Sequence, residues 1–509
     1  MNIPCNLRGD APRHRWRAFR HVVLCGCTIA VALVSAGCAV GPDYRKPTID
    51  IPTSFKEGVE WQRAQADPQA TLSSTWWRDY HDDTLTQLVE QALQANQSIA
   101  QAEAAYRLAQ ATVAANTASL FPTISAGISG SRAGTGEGAV AASGGALSPG
   151  VHNTVTADAA ATWELDLWGQ VRREIESSKA SAQASDAQLA GQRLSIAASV
   201  VSDYFELRQA DVDIDLLEQQ RRIDAGVLDM TRASYAQGES SNDSVLTAQD
   251  TLEVVIADLQ STQTAREQYE HAIAVLTGVP PGKFSIASEP HYAFVAPSVP
   301  LSLPSQLLER RYDVVSAERA AASANAKIGA AEAAFFPNLT LSAQGGFQHS
   351  ALANLFSLPS RYWTLGPQLA GTIFDGGART AAVHGARATY DEAVAGYRQT
   401  VLSAFESVED SLSSWNHLAQ QEHAYADIYQ RNKQLFDSEH AQYQIGTTSR
   451  QSLFSEQLTL LLAQQNLVDT QASLTLSSVT LIKNLGGGWQ WDEANEVPAN
   501  AAAPSTSSH

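Results

Sequence analysis

Residues 453–481 read LFSEQLTLLLAQQNLVDTQASLTLSSVTL, with leucine at 453, 460, 467, 474 and 481. A seven-residue step held over five positions lays an apolar seam along one side of a helix, and that seam needs a second helix lengthwise against it. The seam ends a longer stretch, Ala378 to Leu485, that has no proline and little glycine. Between Pro149 and Pro280 lies another proline-free stretch, where Val245, Leu252, Leu259, Arg266 and Ile273 keep the same step with one polar intruder. The organising element is present twice.

The segments around it repeat as well. An Ala/Gln-rich helix over Thr84 to Leu120 is stopped by Phe121-Pro122, because proline lacks a donor and biases its predecessor toward extended backbone. A strand follows over Thr123 to Arg132, then a Gly/Ala/Ser loop to Gly150 and a returning strand over Asn153 to Leu167. There Val155, Ala157, Ala159, Ala161 and Trp163 alternate with Thr154, Thr156, Asp158, Ala160 and Thr162, the period-two pattern of a sheet with one apolar face. Helices over Gln170 to Gln237 and Asp243 to Leu276 turn at Gly238-Glu239-Ser240-Ser241. The second half has a helix over Val314 to Ala334 stopped by Phe336-Pro337, then a strand with Leu339, Leu341, Ala343 and Phe347 alternating with polar residues. Tyr362 to Asp375 reads as its returning strand, and the long helix from Ala378 turns at Gly446. Phe121-Pro122 and Phe336-Pro337 are 215 residues apart, Leu165-Asp166 and Phe374-Asp375 are 209 apart, and Tyr235 and Gly238 lie 208 before Tyr443 and Gly446. The offset changes mainly inside the hairpins, where a shorter loop costs little.

This predicts a targeting segment over 1–37, an N-terminal tether over 38–83, and a first repeat over 84–279 with its hairpin at 123–167 and helical pair at 170–276. A Pro-rich linker spans 280–304. The second repeat covers 305–488, with its hairpin at 338–375 and helical pair at 378–485, and a tail over 489–509, rich in Ala, Pro and Ser, is expected to be disordered. Trp76-Trp77 reads as packing at a helix start.

The N-terminal segment carries Arg13, Arg15, Arg17 and Arg20 before an apolar run, Val22 to Ala36, too short for a comfortable membrane span. It ends Val34-Ser35-Ala36-Gly37-Cys38. Small residues before a cysteine fit cleavage at a lipidated cysteine, which makes Cys38 the attachment site of a covalent lipid and the new N-terminus. Ser35 stands where such sequences usually carry Leu, and ordinary cleavage after Ala36 or Gly37 is the alternative. The other cysteines, Cys5, Cys25 and Cys27, leave with this segment, so a disulfide framework and a cysteine zinc site are both excluded. The formal charge of −19 argues against a nucleic-acid partner. The histidines are scattered, and Gly134, Gly136 and Gly138 fall in a hairpin tip, where they read as flexible loop rather than a phosphate cradle. No catalytic constellation, metal site or cofactor is expected beyond the lipid.

Two strands per repeat give four per chain, and four strands cannot close; an open edge is not viable in lipid. Two copies would supply eight strands with a packed interior, three would supply twelve and leave a lumen. The residues that carry this pattern resemble the TolC-type outer-membrane efflux proteins, in particular their lipoprotein branch (OprM or NodT-like). The likeness rests on Cys38-Ala-Val-Gly-Pro-Asp-Tyr44, the paired Phe-Pro breaks, Trp163-Glu-Leu-Asp-Leu-Trp-Gly169, Phe374-Asp-Gly-Gly377 and the paired Tyr-x-x-Gly turns. The resemblance implies a mainly α, internally duplicated chain whose homotrimer forms a twelve-stranded transmembrane β-barrel continued by a helical barrel through the periplasm. It implies the exit duct of a tripartite efflux system for drugs or small solutes, joined by a periplasmic adaptor to an inner-membrane RND, MFS or ABC pump; a duct for type I protein or peptide secretion is the alternative. Gly238 and Gly446 would then mark the periplasmic tips, with Ser241, Thr447 and Ser449 small enough for adaptor hairpins to approach. A glycine at a helical turn also needs no reason beyond positive φ. Tyr443 matches a gate tyrosine of the family. Ser452 and Ser455 stand where a well-known member has pore-facing aspartates, and Asp243 with Arg450 could supply a substitute ionic lock between protomers, or sit solvated.

Overall fold

A computed structural model describes residues 39–49, 74–136, 150–297 and 311–489. The targeting segment, Cys38, Gly138, much of the tether and linker, and almost all of the C-terminal tail lie outside the described residues. Seven α-helices and four strands are found among the described residues: α1 Asp83–Ala95, α2 Gln97–Ala118, β1 Thr123–Thr135, β2 Gly150–Leu165, α3 Gln170–Ala236, α4 Asn242–Leu276, α5 Tyr312–Ala333, β3 Asn338–His349, β4 Arg361–Ala370, α6 Ala378–Gln444 and α7 Arg450–Asn484. The duplication extends to helix length. α2 and α5 each have 22 residues, α3 and α6 each have 67, and α4 and α7 each have 35. At 1.5 Å per residue the longest are about 100 Å.

The chain divides into two compact units, and each draws on both repeats. One contains residues 39–46, 109–182 and 320–393. Its sheet is antiparallel in the order β1-β2-β3-β4. The register aligns Ile124, Ala161, Ala343 and Leu365 across all four strands, and likewise Ala126, Ala159, Gly345 and Trp363. Residues directly opposite share a face, so Ile128, Trp163, Leu339, Leu341, Phe347 and Leu369 join this apolar side. The other side carries Thr, Ser, Asn and Gln, with Gln344 Nε2 donating to Asp158 Oδ2 at 2.8 Å. Ile124, Ile128 and the β4 residues Trp363, Leu365 and Leu369 illustrate how bare the apolar side is: these five are 64–79% exposed. The outer edges of β1 and β4 have no strand beside them among the described residues.

The strands meet the helices through paired carboxylates. Asp166 accepts from the backbone N–H groups of Val171 (3.1 Å) and Arg172 (3.0 Å) at the start of α3. Asp375 does the same for Gly377 (2.9 Å) and Arg379 (3.3 Å) at the start of α6. Each satisfies orphan donors of a helix N-terminus and pairs with the arginine it caps. Trp168 Nε1 donates to Pro337 O at 2.9 Å, and its ring stacks on Phe336 with centroids 4.7 Å apart. The Asp and aromatic residues of both sequence signatures are thus joint fittings.

The second unit contains residues 47–49, 74–108, 183–297, 311–319 and 394–489. Its main core gathers Trp76, Trp77, Tyr80, Leu85 and Val89 with Val200, Tyr204, Phe205 and Leu207 of α3 and Val479, Leu481 and Ile482 of α7. Trp76 and Trp77 pack edge to face, centroids 5.9 Å apart, in a short 3-10 helix. α3 lies against α7 through Val212, Leu216, Ile223 and Leu461, and against α4 through Leu217, Val255 and Leu259.

Three sequence expectations change. The helix expected over Thr84 to Leu120 breaks at Asn96, whose extended backbone ends α1. Its Oδ1 then caps α2 by accepting from Ser98 and Ile99 N–H, while its Nδ2 donates to Leu276 O. The strand expected to reach Asp375 stops at Ala370, because Gly371 lies against Pro337 and Asp375 is committed to capping. Finally, the leucine series of α7 is buried only at Leu453 and Leu481; Leu460, Leu467 and Leu474 are half-buried. The packed side of that helix instead holds Leu461, Ala472, Thr475, Val479 and Ile482. Leu460, Leu467 and Leu474 lie on the flank of that packed side.

Candidate docking and gating tips

The two helical turns are built alike. At the first, Gly238 N–H donates to Tyr235 O (2.9 Å) and Glu239 N–H to Ser234 O (2.9 Å); at the second, Gly446 N–H donates to Tyr443 O (3.0 Å) and Thr447 N–H to Gln442 O (3.0 Å). This double closure needs a left-handed residue, and φ is +77° at Gly238 and +78° at Gly446. A Cβ at either position would meet nothing within 4 Å, so backbone conformation alone calls for glycine. Three residues on, Ser241 Oγ accepts from Ser244 N–H and Ser449 Oγ from Ser452 N–H, each at 3.1 Å. Both serines are N-caps of the returning helices.

The side chains make the tips differ. Glu439 on α6 accepts from Thr448 Oγ1 at 2.5 Å and from the Ser452 hydroxyl, and these two donors hold its carboxyl below the usual carboxylate range. The matching residue of the first tip, 208 positions earlier, is Thr231. Among the described residues only the second turn is clasped by a carboxylate. The sequence reading passed over Glu439; the signal was a carboxylate one helical turn before Tyr443 with hydroxyls at 448 and 452. Tyr443 itself is 38% exposed and Tyr235 49%. Arg450 places its guanidinium 4.9 Å from the Phe454 ring centroid, and no ion pair joins it to Asp243 among the described residues of one chain.

Away from the tips, the polar intruder of the first heptad series has a role. Arg266 donates to Asp211 Oδ1 (2.6 Å), Glu270 (2.9 Å) and Ile286 O (2.9 Å). Asp211 also accepts from Arg208 (3.0 Å), Ser288 Oγ (2.8 Å) and Glu289 N–H (3.0 Å). This buried cluster fastens linker residues 286–289 to α3 and α4. Beside it, Asp82 accepts from the hydroxyls of Tyr204 (2.7 Å) and Tyr292 (3.1 Å), which burial pushes upward in pKa.

The N-terminal segment is fastened too. Val40 N–H donates to Trp168 O at 3.0 Å. The buried Arg173 donates to Val40 O (3.2 Å), Gly41 O (3.2 Å) and Asp43 (3.0 Å). A Cβ on Gly41 would overlap Gly329 of α5. Residues 39–43 therefore lie against the start of α3 and against Gly329 of α5.

A duplicated unit of helix, hairpin and long helical pair, with a bare apolar sheet face, is the pattern of the Outer membrane efflux protein family, whose profile matches residues 88–279 and 303–487. The chain belongs to this family. It is 30% identical over 473 residues to the probable efflux pump outer membrane protein TtgC of Pseudomonas putida, covering 91% of this chain and 96% of TtgC. It is 28% identical over 452 residues to nodulation protein T of Rhizobium leguminosarum bv. trifolii, covering 87% and 91%. The solved outer-membrane channel OprN matches it with a TM-score of 0.78 at 28% identity, over 89% of this chain and all of OprN's. As an outer membrane efflux protein, the chain is an outer-membrane exit duct of a tripartite efflux system.

Proposed function

We propose that three copies assemble into a lipid-anchored duct that passes drugs or small solutes without doing chemistry on them. The observation that carries this reading is the sheet: four strands with one bare apolar face, one polar face and an unpaired edge on each side. Three such sheets joined edge to edge make a twelve-stranded barrel with lipid outside and water inside. The paired long helices then continue the duct through the periplasm, and the turns at Gly238 and Gly446 are the ends that meet a periplasmic adaptor. Ser241, Thr447 and Ser449 leave room for the adaptor's helices there. Tyr443, Asp243 and Arg450 line the closing end, with Arg450 and Asp243 free to pair across protomers because one chain does not join them.

Lipid attachment at Cys38 fits the fastening of residues 39–43, since the segment that follows it lies against the start of α3. The inner-membrane partner is a pump of the RND, MFS or ABC type. Conductance in planar bilayers tests the reading: the trimer carries current once its tip is opened by Tyr443→Ala with Arg450→Ala, and silence of the opened variant overturns it. Replacing Cys38 with Ala should abolish metabolic labelling with palmitate while leaving trimers intact.

A further inference from the structure

Where α3 meets α7, acidic side chains interrupt an apolar seam. Val212, Leu216 and Ile223 of α3 pack on Leu461, with Phe454, Leu458 and Val468 around them. Asp213 lies in the same stretch of α3, and its Oδ1 is buried without a hydrogen-bond partner. Across the seam stands Asp469 of α7, which accepts from Gln209 Nε2 of α3 at 2.8 Å. Gln209 and Asp213 are four residues apart, so they share one face of α3.

The charged groups nearby are engaged elsewhere. Asp211 holds Arg208 and Arg266, Asp215 accepts from Gln219, and Glu422 of α6 accepts from Gln471 of α7. What acts on Asp213 is burial first and then the charge of Asp469, with no cation between them. Two carboxylates in one low-dielectric seam do not both ionise cheaply, and a buried oxygen without a donor is costly. The repeat does not copy this arrangement: the matching positions are Gln421 on α6 and Ser261 on α4, neither of which titrates.

We propose that Asp213, facing Asp469, holds a proton at the α3–α7 seam, and that losing it as pH rises past neutrality loosens the grip of α7 on α3. Burial pushes Asp213 up to about 7 and raises Asp469 as well. A carboxyl whose folded pKa lies above its unfolded one weakens the fold as pH rises from the unfolded toward the folded value. α7 starts at the N-cap Ser449 of the second tip, so the looser seam frees the hairpin that carries the Glu439 clasp. The device is proton-linked and independent of what passes through the duct.

The test uses the full-length assembled protein in detergent. Infrared spectra of the wild type should show a protonated-carboxyl stretch that titrates away between about pH 6 and about pH 8, and the melting temperature should fall from about pH 4 to about pH 7 and level off above it. Asp213→Asn should remove the component centred near pH 7, leaving the lower one of Asp203, which burial pushes up to about 6, and should make the fall shallower. Asp469→Asn should keep the band and move its midpoint down by about half a pH unit or more, since a like charge has gone. A wild type with no band in that interval overturns the proposal. So does a band whose midpoint is unchanged in Asp469→Asn, a measurement that decides the matter even where Asp213→Asn fails to assemble.

Discussion

α3 and α6 are the same helix twice, 67 residues each, yet their surroundings differ sharply. α3 is buried at intervals along almost its whole length, from Ile175 to Leu228, whereas α6 has no buried residue beyond Leu412. α3 has α4 on one side and α7 on the other; α6 ends in a bare flank. Sequence duplication has copied backbone but not environment, and the side chains have diverged accordingly. Arg208, Asp211 and Arg266 of the first repeat correspond to Asn416, Ala419 and Leu474 of the second. The leucine heptads are unbroken in α7 because the ion cluster that interrupts α4 has no copy there.

The largest expected effect comes from the cluster that separates the two. Asp211→Ala strands two guanidinium groups in a largely buried site and should cost about 3–5 kcal/mol, read by chemical denaturation. A loss below about 1 kcal/mol would mean that water already reaches Arg208 and Arg266. Next comes packing. Leu207 on α3 is fully buried, and Leu207→Ala should cost about 2–5 kcal/mol. Leu435 on α6 is 56% exposed in the single chain, so Leu435→Ala should change the chain's own stability by less than about 0.5 kcal/mol. If the assembled trimer is weakened far more than that, the bare flank of α6 is an interface, which sharpens the contrast rather than removing it.

Smaller effects compare the tips. Gly238→Ala and Gly446→Ala each place a Cβ in left-handed backbone and should each cost about 1–2 kcal/mol, followed by thermal melts of the single variants. Unequal losses would show that the two turns are packed differently in the assembly. The smallest concerns Glu439. Its carboxyl pKa is depressed below the ordinary 4.5, so the clasp is complete above that pH and is lost as pH falls through the lower folded value. Protection of the Thr448 amide against hydrogen exchange, taken relative to its intrinsic rate at each pH, should therefore fall in acid, and Glu439→Gln should make it low throughout. Ser240, its counterpart beside Thr231, should show no such step.

Much of the architecture could be read in the residues because it is written in short-range signals. The Phe-Pro breaks, the period-two strands and the Tyr-x-x-Gly turns each act within a few residues of themselves. What escaped the reading was long-range. Asn96 breaks a helix by reaching Leu276, 180 residues away, and no local pattern advertises that partner. Arg266 looked like a flaw in a heptad until Asp211, 55 residues back, supplied its reason. Heptad counting likewise fixed the period of α7 but not its azimuth, since the side that packs is decided by which neighbours can come close. At the tips, the glycines and caps were legible as turn chemistry, while the Glu439 clasp depends on hydroxyls brought round by the turn itself.

The sheet has one further implication. Its apolar face is bare and, among the described residues, both of its edges are open, which for a lone chain in water is a template for pairing with the wrong strand. The single chain is accordingly a hazardous traveller. Whatever delivers it to the membrane must keep those edges occupied until two siblings arrive, so the rate of encounter among siblings, more than the folding of each helix, sets how safely the duct is made.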